Sequence, residues 1–233
     1  MSIYRIKLKI RNLIRRIFGY KSPFESKIYN LDGSNSQYGQ ETFVNHIINK
    51  EGTRYYVDVG ASNGILCSNT LILEKNGWSG ICIEPIPTQY KKLVKNRPNS
   101  ININLSISDS SSEFKFVEFL DDRYEYSGIL NTIRDEKLLD KFNHRIVKVK
   151  SETLNNILIE NNAPNFIDYI DIDVEGHELN VLRSIDYNKF SFRIIGVETN
   201  PRLESFYKIK TFLEIKGYNL IAQLGSDAMF IKI

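Results

Sequence analysis

From Tyr55 to Ile233 the chain alternates between short runs of branched and aromatic residues and stretches with helical spacing. The strand-like runs are Tyr55–Val59, Gly80–Glu84, Ile101–Ile107, Asn165–Asp171 and Phe192–Val197. Between them, helices are predicted at Asn69–Lys75, Thr88–Lys95, Leu154–Glu160, Glu178–Ser184 and Ser205–Lys216, with a shorter one before them at Gln40–Asn49. Apart from Ile101–Ile107, whose Asn and Ser residues fall at alternate positions, the runs do not alternate strictly with polar residues. A strand of that kind must be covered on both faces, and a helix between successive strands imposes a crossover, so the sheet is predicted to be parallel. The end differs: Tyr218–Gln223 and Met229–Ile233, joined by residues 224–228, read as an antiparallel hairpin. Glu113–Phe119 and Arg145–Lys150 read as extra strands around a polar excursion, residues 120–144. The expectation is an α/β, Rossmann-like, mostly parallel seven-stranded sheet with a C-terminal antiparallel hairpin and helices on both faces. A chain of 233 residues buries about 70% of its extended surface on folding, enough for one domain without staples.

Charge divides the chain. The net charge is +3, yet residues 1–21 hold seven basic residues (Arg5, Lys7, Lys9, Arg11, Arg15, Arg16 and Lys21) and no acid. The rest carries 24 basic residues against 28 acids, a net −4. In the same first segment Ile3, Ile6, Ile10, Leu13 and Ile17 recur at helical spacing, which predicts an N-terminal amphipathic helix. The chain therefore reads as a basic helical arm, 1–21, on a domain spanning 22–233. The arm either packs on the body or on a second copy in a homo-oligomer, or makes a peripheral contact with an anionic membrane face. A −4 body lacks the basic stripe that phosphate backbones need, so nucleic acid is not expected as a partner. Cys67 and Cys82 have no metal or disulfide spacing, no run is long enough to span a bilayer, and charges interrupt any secretory signal. The expected compartment is the cytoplasm, with peripheral contact at the inner membrane face as the alternative placement of the arm.

Three acid-bearing sites fall at predicted strand ends, where open α/β sheets bind ligands. The first is Asp58-Val59-Gly60-Ala61-Ser62-Asn63-Gly64, an acid on an apolar strand followed by a turn in which Gly60 and Gly64 permit close backbone approach. It lacks the G-x-G-x-x-G fingerprint of pyrophosphate binding, which disfavours a dinucleotide oxidoreductase. The second is Glu84-Pro85, one β-α-β step later, where a carboxylate can accept from both hydroxyls of a ribose. Asp109, after the third strand, is placed to accept from an adenine amino group. The third site is Asp171-Ile172-Asp173-Val174-Glu175-Gly176-His177-Glu178. On a strand, Asp171 and Asp173 share a side. So many ionisable groups at a sheet edge are costly unless used.

A mostly parallel sheet ending in a hairpin is the architecture of class I methyltransferases. Residues 55–98 and 167–185, with SQYGQETFV at 36–44, resemble the FkbM-type S-adenosylmethionine-dependent methyltransferases. Ser68-Asn69-Thr70, Gly77-Trp78, Ile83-Glu84-Pro85 and Asp173–Glu178 carry the resemblance. It implies S-adenosylmethionine as cofactor and O-methylation of a hydroxyl on a sugar, glycan or related small metabolite. Carried over, Asp58 through Gly60, Ala61, Ser62 and Asn63 to Gly64 would hold the methionine part. Ser68, Asn69 and Thr70 would bind the cofactor carboxylate, Glu84 the ribose, and Asp109 would lie near the adenine, with Asp171 at the same edge.

Methyl transfer to a hydroxyl calls for a general base. Asp173, Glu175 and His177 are the candidates, since a perturbed carboxylate or an imidazole can take the proton near neutral pH. Asp173 with Glu198 and Asn200, at the end of the next strand, also offers an all-oxygen set suited to Mg²⁺. The alternative to an enzyme is a catalytically inactive scaffold of the same fold, docked by its arm to a membrane or glycan-assembly complex.

Overall fold

The computed structural model describes residues 34–48, 52–120, 127–132, 137–199 and 204–233. The 1–21 arm, Asn200 and part of the 120–144 excursion fall outside these. Among the described residues, eleven strands run in chain order: β1 (Tyr55–Val59), β2 (Ser79–Ile83), β3 (Ile101–Ile103), β4 (Ser106–Ile107), β5 (Ser112–Phe119), β6 (Gly128–Ile129), β7 (His144–Glu152), β8 (Phe166–Ile172), β9 (Ser191–Glu198), β10 (Tyr218–Leu224) and β11 (Asp227–Lys232). The described α-helices are α1 (Gln40–Ile48), α2 (Leu71–Lys75), α3 (Pro87–Asn96), α4 (Lys137–Lys141), α5 (Leu154–Glu160), α6 (Glu178–Arg183) and α7 (Glu204–Ile215).

A seven-stranded sheet has the order β10-β11-β9-β8-β1-β2-β3. It is parallel from β3 to β9, and only β11 and β10 pair antiparallel. The expected parallel sheet with a terminal hairpin is therefore the fold, and the strand order reverses direction between β1 and β8.

Side-chain alternation explains why the strands are apolar throughout. Val57, Val59, Ile81, Ile83, Ile170, Ile172, Ile195 and Val197 pack on one face with Leu154, Leu158, Val181, Leu182, Ile209 and Leu213 of α5, α6 and α7. Tyr56, Cys82, Tyr169, Ile194 and Met229 point to the other face and meet Phe43, Val44, Leu73 and Leu93 of α1, α2 and α3. Both faces are dry, so neither set of alternate positions tolerates polarity. An acid on such a strand is conspicuous, and Asp58 and Asp171 are register partners on the second face.

Two expectations are corrected. Ile101–Ile107 is not one strand. The chain leaves the main sheet after Ile103, where Asn104 Nδ2 donates to the carbonyl oxygens of Glu84 (2.8 Å) and Pro85 (3.0 Å). It re-forms as β4 in a separate four-stranded sheet, β4-β7-β5-β6. The extra strands belong to this second sheet. Its Phe116, Ile129 and Val149 pack on Ile86, just beyond Glu84. The helix foreseen from Asn69 starts at Leu71, because Ser68–Thr70 belong to the preceding turn.

Candidate cofactor and acceptor site

The carboxyl ends of β1, β2 and β8 meet where the strand order reverses. The turn after β1 is pinned from three sides. Gly60 and Ala61 N–H donate to the Ile83 carbonyl of β2 at 2.9 and 3.0 Å. Asp173 N–H donates to the Val59 carbonyl at 3.0 Å. A Cβ on Gly60 would lie 1.8 Å from the Asp173 carbonyl oxygen, and Gly60 has φ +97°. No other residue allows this approach of two backbones. Ser62 (φ 49°) and Cys67 (φ 58°) are also left-handed, so the turn holds strain of the kind found at ligand sites. Asn63 Oδ1 accepts from the N–H groups of Ile65 and Leu66, each at 2.9 Å, closing the turn locally.

Glu84 is buried, and its two oxygens accept from opposite sides. Ser62 N–H donates to Oε2 (2.8 Å) and Ile86 N–H to Oε1 (2.7 Å). One carboxylate therefore joins the β1 turn to the start of α3 and keeps lone pairs for a ligand hydroxyl. Burial raises its pKa to about 7, opposed by those two amides and reinforced by Asp58 and Glu118. Pro85 follows, half-buried, with its carbonyl held by Asn104.

Asp58 is buried and accepts from Thr70 Oγ1 at 2.5 Å. Burial raises its pKa, while Arg97 and the Thr70 hydroxyl pull it down. Asp171 accepts from Tyr169 Oη (2.7 Å) and Asn69 Nδ2 (2.9 Å). Burial, Asp58 and Asp227 hold its carboxyl well above the ordinary range. The hydroxyls of Ser68 and Thr70 are engaged inside the turn. Asn69 is 7% exposed, and its Oδ1 is a buried acceptor with no partner. An orphaned buried acceptor beside two carboxylates fits the ammonium of an amino-acid ligand. With Glu84 ready for a ribose, the residues present fit S-adenosylmethionine.

The third site divides. Asp173, Glu175 and Glu198 each bring one oxygen within 4.8 Å of the others. Asp173 is exposed over part of its surface, while protein atoms crowd its carboxyl. That crowding, which desolvates the charged form, then Glu198, Glu175, Asp227 and Asp171, raise its carboxyl well above the usual range. Glu198 Oε2 is buried without a hydrogen-bond partner. His177 does not join these carboxylates by any described contact. Its Nε2 lies 3.1 Å from Ser108 Oγ, its ring stands edge-on to Phe114, and burial lowers its pKa despite the nearby Asp109. Asp109 is exposed and accepts from Asn180 Nδ2 at 3.3 Å.

Two buried residues escaped the sequence reading. Asp227 opens β11 opposite Glu198, accepts from Gln40 Nε2 and from Ser226 Oγ (3.0 Å), and has its pKa raised to about 6 by burial. Its position at a strand end of the same edge was the available signal. Arg97 lies at the end of α3, where a basic residue before a proline reads as ordinary surface.

This strand order, with carboxylates at the ends of β1, β2 and β8, is that of the class I methyltransferase fold. Residues 58–220 match the family model described as the methyltransferase FkbM domain, and the chain belongs to that family. Among solved structures it is similar to a human methyltransferase 10 domain containing protein (14% identity, TM-score 0.49, covering 100% of this chain and 99% of that one). It is also similar to a TehB-like SAM-dependent methyltransferase from Corynebacterium glutamicum (11%, 0.44, covering 98% and 100%). A precorrin-6y C5,15-methyltransferase from Geobacter metallireducens follows at 10% and 0.43, covering 90% and 98%. Among the described residues, no helix is long and apolar enough to cross a membrane.

Proposed function

We propose that the protein transfers a methyl group from S-adenosylmethionine to a hydroxyl of a sugar, glycan or related small metabolite. The observation that carries this reading is the carboxylate set Asp173, Glu175 and Glu198, with the Asp173 carboxyl raised, one backbone hydrogen bond from the Asp58 turn. A carboxylate with a raised pKa suits general-base work near neutral pH.

When bound, S-adenosylmethionine supplies a methyl carbon that carries a good leaving group. Asn69, Asp171 and Asp58 would hold its amino-acid end and Glu84 its ribose. Asp173 takes the proton of the acceptor hydroxyl as the oxygen attacks. Glu175 and Glu198 orient the acceptor's other hydroxyls and, by their charge, keep Asp173 basic. As the alternative to Asp173 acting as the base, the same three carboxylates suit a hard divalent cation such as Mg²⁺, which would itself lower the pKa of the acceptor hydroxyl. Loss of turnover on chelation, restored by Mg²⁺, would favour the metal and count against Asp173 as the base.

The test is a methyl-transfer screen of the purified full chain with labelled S-adenosylmethionine against glycosides and nucleotide-sugars. Label in an O-methyl ether is expected. Label only on nitrogen or carbon, or no binding of S-adenosylhomocysteine by calorimetry, would refute the reading.

A further inference from the structure

Arg97 is fully buried, and a buried guanidinium persists only when its N–H groups are matched. Its Nε donates to Glu74 Oε2 at 2.7 Å. Nη1 donates to the Gly64 carbonyl (3.3 Å) and Ser68 Oγ (3.2 Å). Nη2 donates to Tyr56 Oη (2.8 Å) and Thr70 Oγ1 (3.1 Å). Gly64 lies in the first half of the turn after β1, Ser68 and Thr70 in the second. Tyr56 is on the strand beneath, and Glu74 on the helix that follows. One planar group therefore ties both halves of the turn to the two elements that flank it.

The Thr70 hydroxyl shows what this does. It has one proton. Because Arg97 donates to Oγ1, that proton is directed to Asp58 Oδ2. Ser68 Oγ likewise accepts from Arg97 and from the N–H groups of Leu71 (3.1 Å) and Thr70 (3.3 Å). We propose that Arg97 is the positioning residue of the cofactor turn, setting the span from Gly64 to Thr70 and, through Thr70, the orientation of the Asp58 carboxylate. This rests on the turn being the S-adenosylmethionine site. A lysine offers three donors from one point and cannot reproduce the fork.

The charged or titratable groups around Asp58 are Arg97, Asp171 and Tyr169 on β8, Cys82 on β2 and Glu84 just past its end. Arg97 is the one cation among them. Without it Asp58 protonates at higher pH, so the acid limb of ligand binding moves upward.

The test compares the full chain with Arg97→Met, Arg97→Lys and Ile209→Ala, a core truncation on α7 at the opposite face of the sheet from Tyr56 and Leu93. S-adenosylhomocysteine affinity is measured by calorimetry from pH 5 to 9, and hydrogen exchange follows amides 60–71 without ligand. Arg97→Met is expected to weaken binding roughly 30-fold or more, as misplaced binding groups do. Its acid limb moves up, and exchange in 60–71 speeds up. Arg97→Lys recovers part of each. Ile209→Ala loses thermal stability but keeps affinity within about threefold, as distant sites do. If Arg97→Met does not fold, Arg97→Lys carries the same comparison. Wild-type-like affinity and exchange in the Arg97 variants overturns the proposal, and so does an equal loss in Ile209→Ala. If the wild-type chain binds no S-adenosylhomocysteine, the functional reading falls, and the exchange of 60–71 still decides whether Arg97 holds the turn.

Discussion

Glu84 makes the unliganded protein less stable as pH rises, and replacing it with Gln isolates that effect. Burial raises its pKa from 4.5 to about 7. Between those values the folded state holds a proton that the unfolded state has lost. Unfolding free energy therefore falls as pH rises through this window and is flat outside it. Integrating the two titrations from pH 5 to pH 8 gives a loss of about 2.5 kcal/mol for this one group. In Glu84→Gln the loss is absent. The amide nitrogen of Gln faces a backbone N–H, of Ser62 or of Ile86, at a pH-independent cost of about 1–3 kcal/mol. The variant is thus expected to be less stable than wild type at pH 5, and to gain on it by about 2.5 kcal/mol at pH 8. Urea unfolding followed by circular dichroism at pH 5, 6.5 and 8, at fixed ionic strength, measures the difference. A difference constant within about 0.5 kcal/mol over that range would refute the reasoning. Ligand binding has the opposite sign. Ribose hydroxyls donating to the carboxylate favour its charged form, so S-adenosylhomocysteine bound at pH 6.5 should release protons. Calorimetry in two buffers of different ionisation enthalpy detects that release, and Glu84→Gln should abolish the part due to this group.

Asp173→Asn is expected to lower turnover about 100-fold or more with cofactor affinity nearly unchanged, as loss of a general base does. Single-turnover rates beside calorimetry separate the two. His177→Gln should cost less than about tenfold, because His177 is anchored on Ser108 away from the carboxylate set. Gly60→Ala should abolish S-adenosylhomocysteine binding, since its Cβ would lie 1.8 Å from the Asp173 carbonyl; binding at wild-type affinity would contradict the backbone contact. Deleting residues 1–21 should leave that affinity unchanged, because the contacts described on the turn come from residues 35 to 173. Sedimentation on anionic liposomes, and molecular mass in solution, then report whether the segment serves a membrane or a second copy.

What the sequence determined by itself is what period and local chemistry carry. Apolar runs without strict alternation, in every run but Ile101–Ile107, fix a sheet buried on both faces, and helices between them fix its parallel sense. Asp58, Glu84 and Asp171 stand out because a charge on such a strand is costly unless it faces a site. The tertiary structure decided what depends on residues far apart in the chain. Asn104 diverts the third run into a second sheet by reaching back to Glu84 and Pro85. Asp227 meets Gln40 across most of the chain. Arg97 looks like a helix-end surface charge until folding buries it against Gly64 and Thr70. His177, two residues after Glu175, turns to Ser108 because α6 begins there and the loop reverses at Glu175 (φ 55°) and Gly176 (φ 105°). Local pattern sets which groups must be buried and which edge they share. Which of them touch is set by packing, where a hydrogen bond reads distance in space and not along the chain.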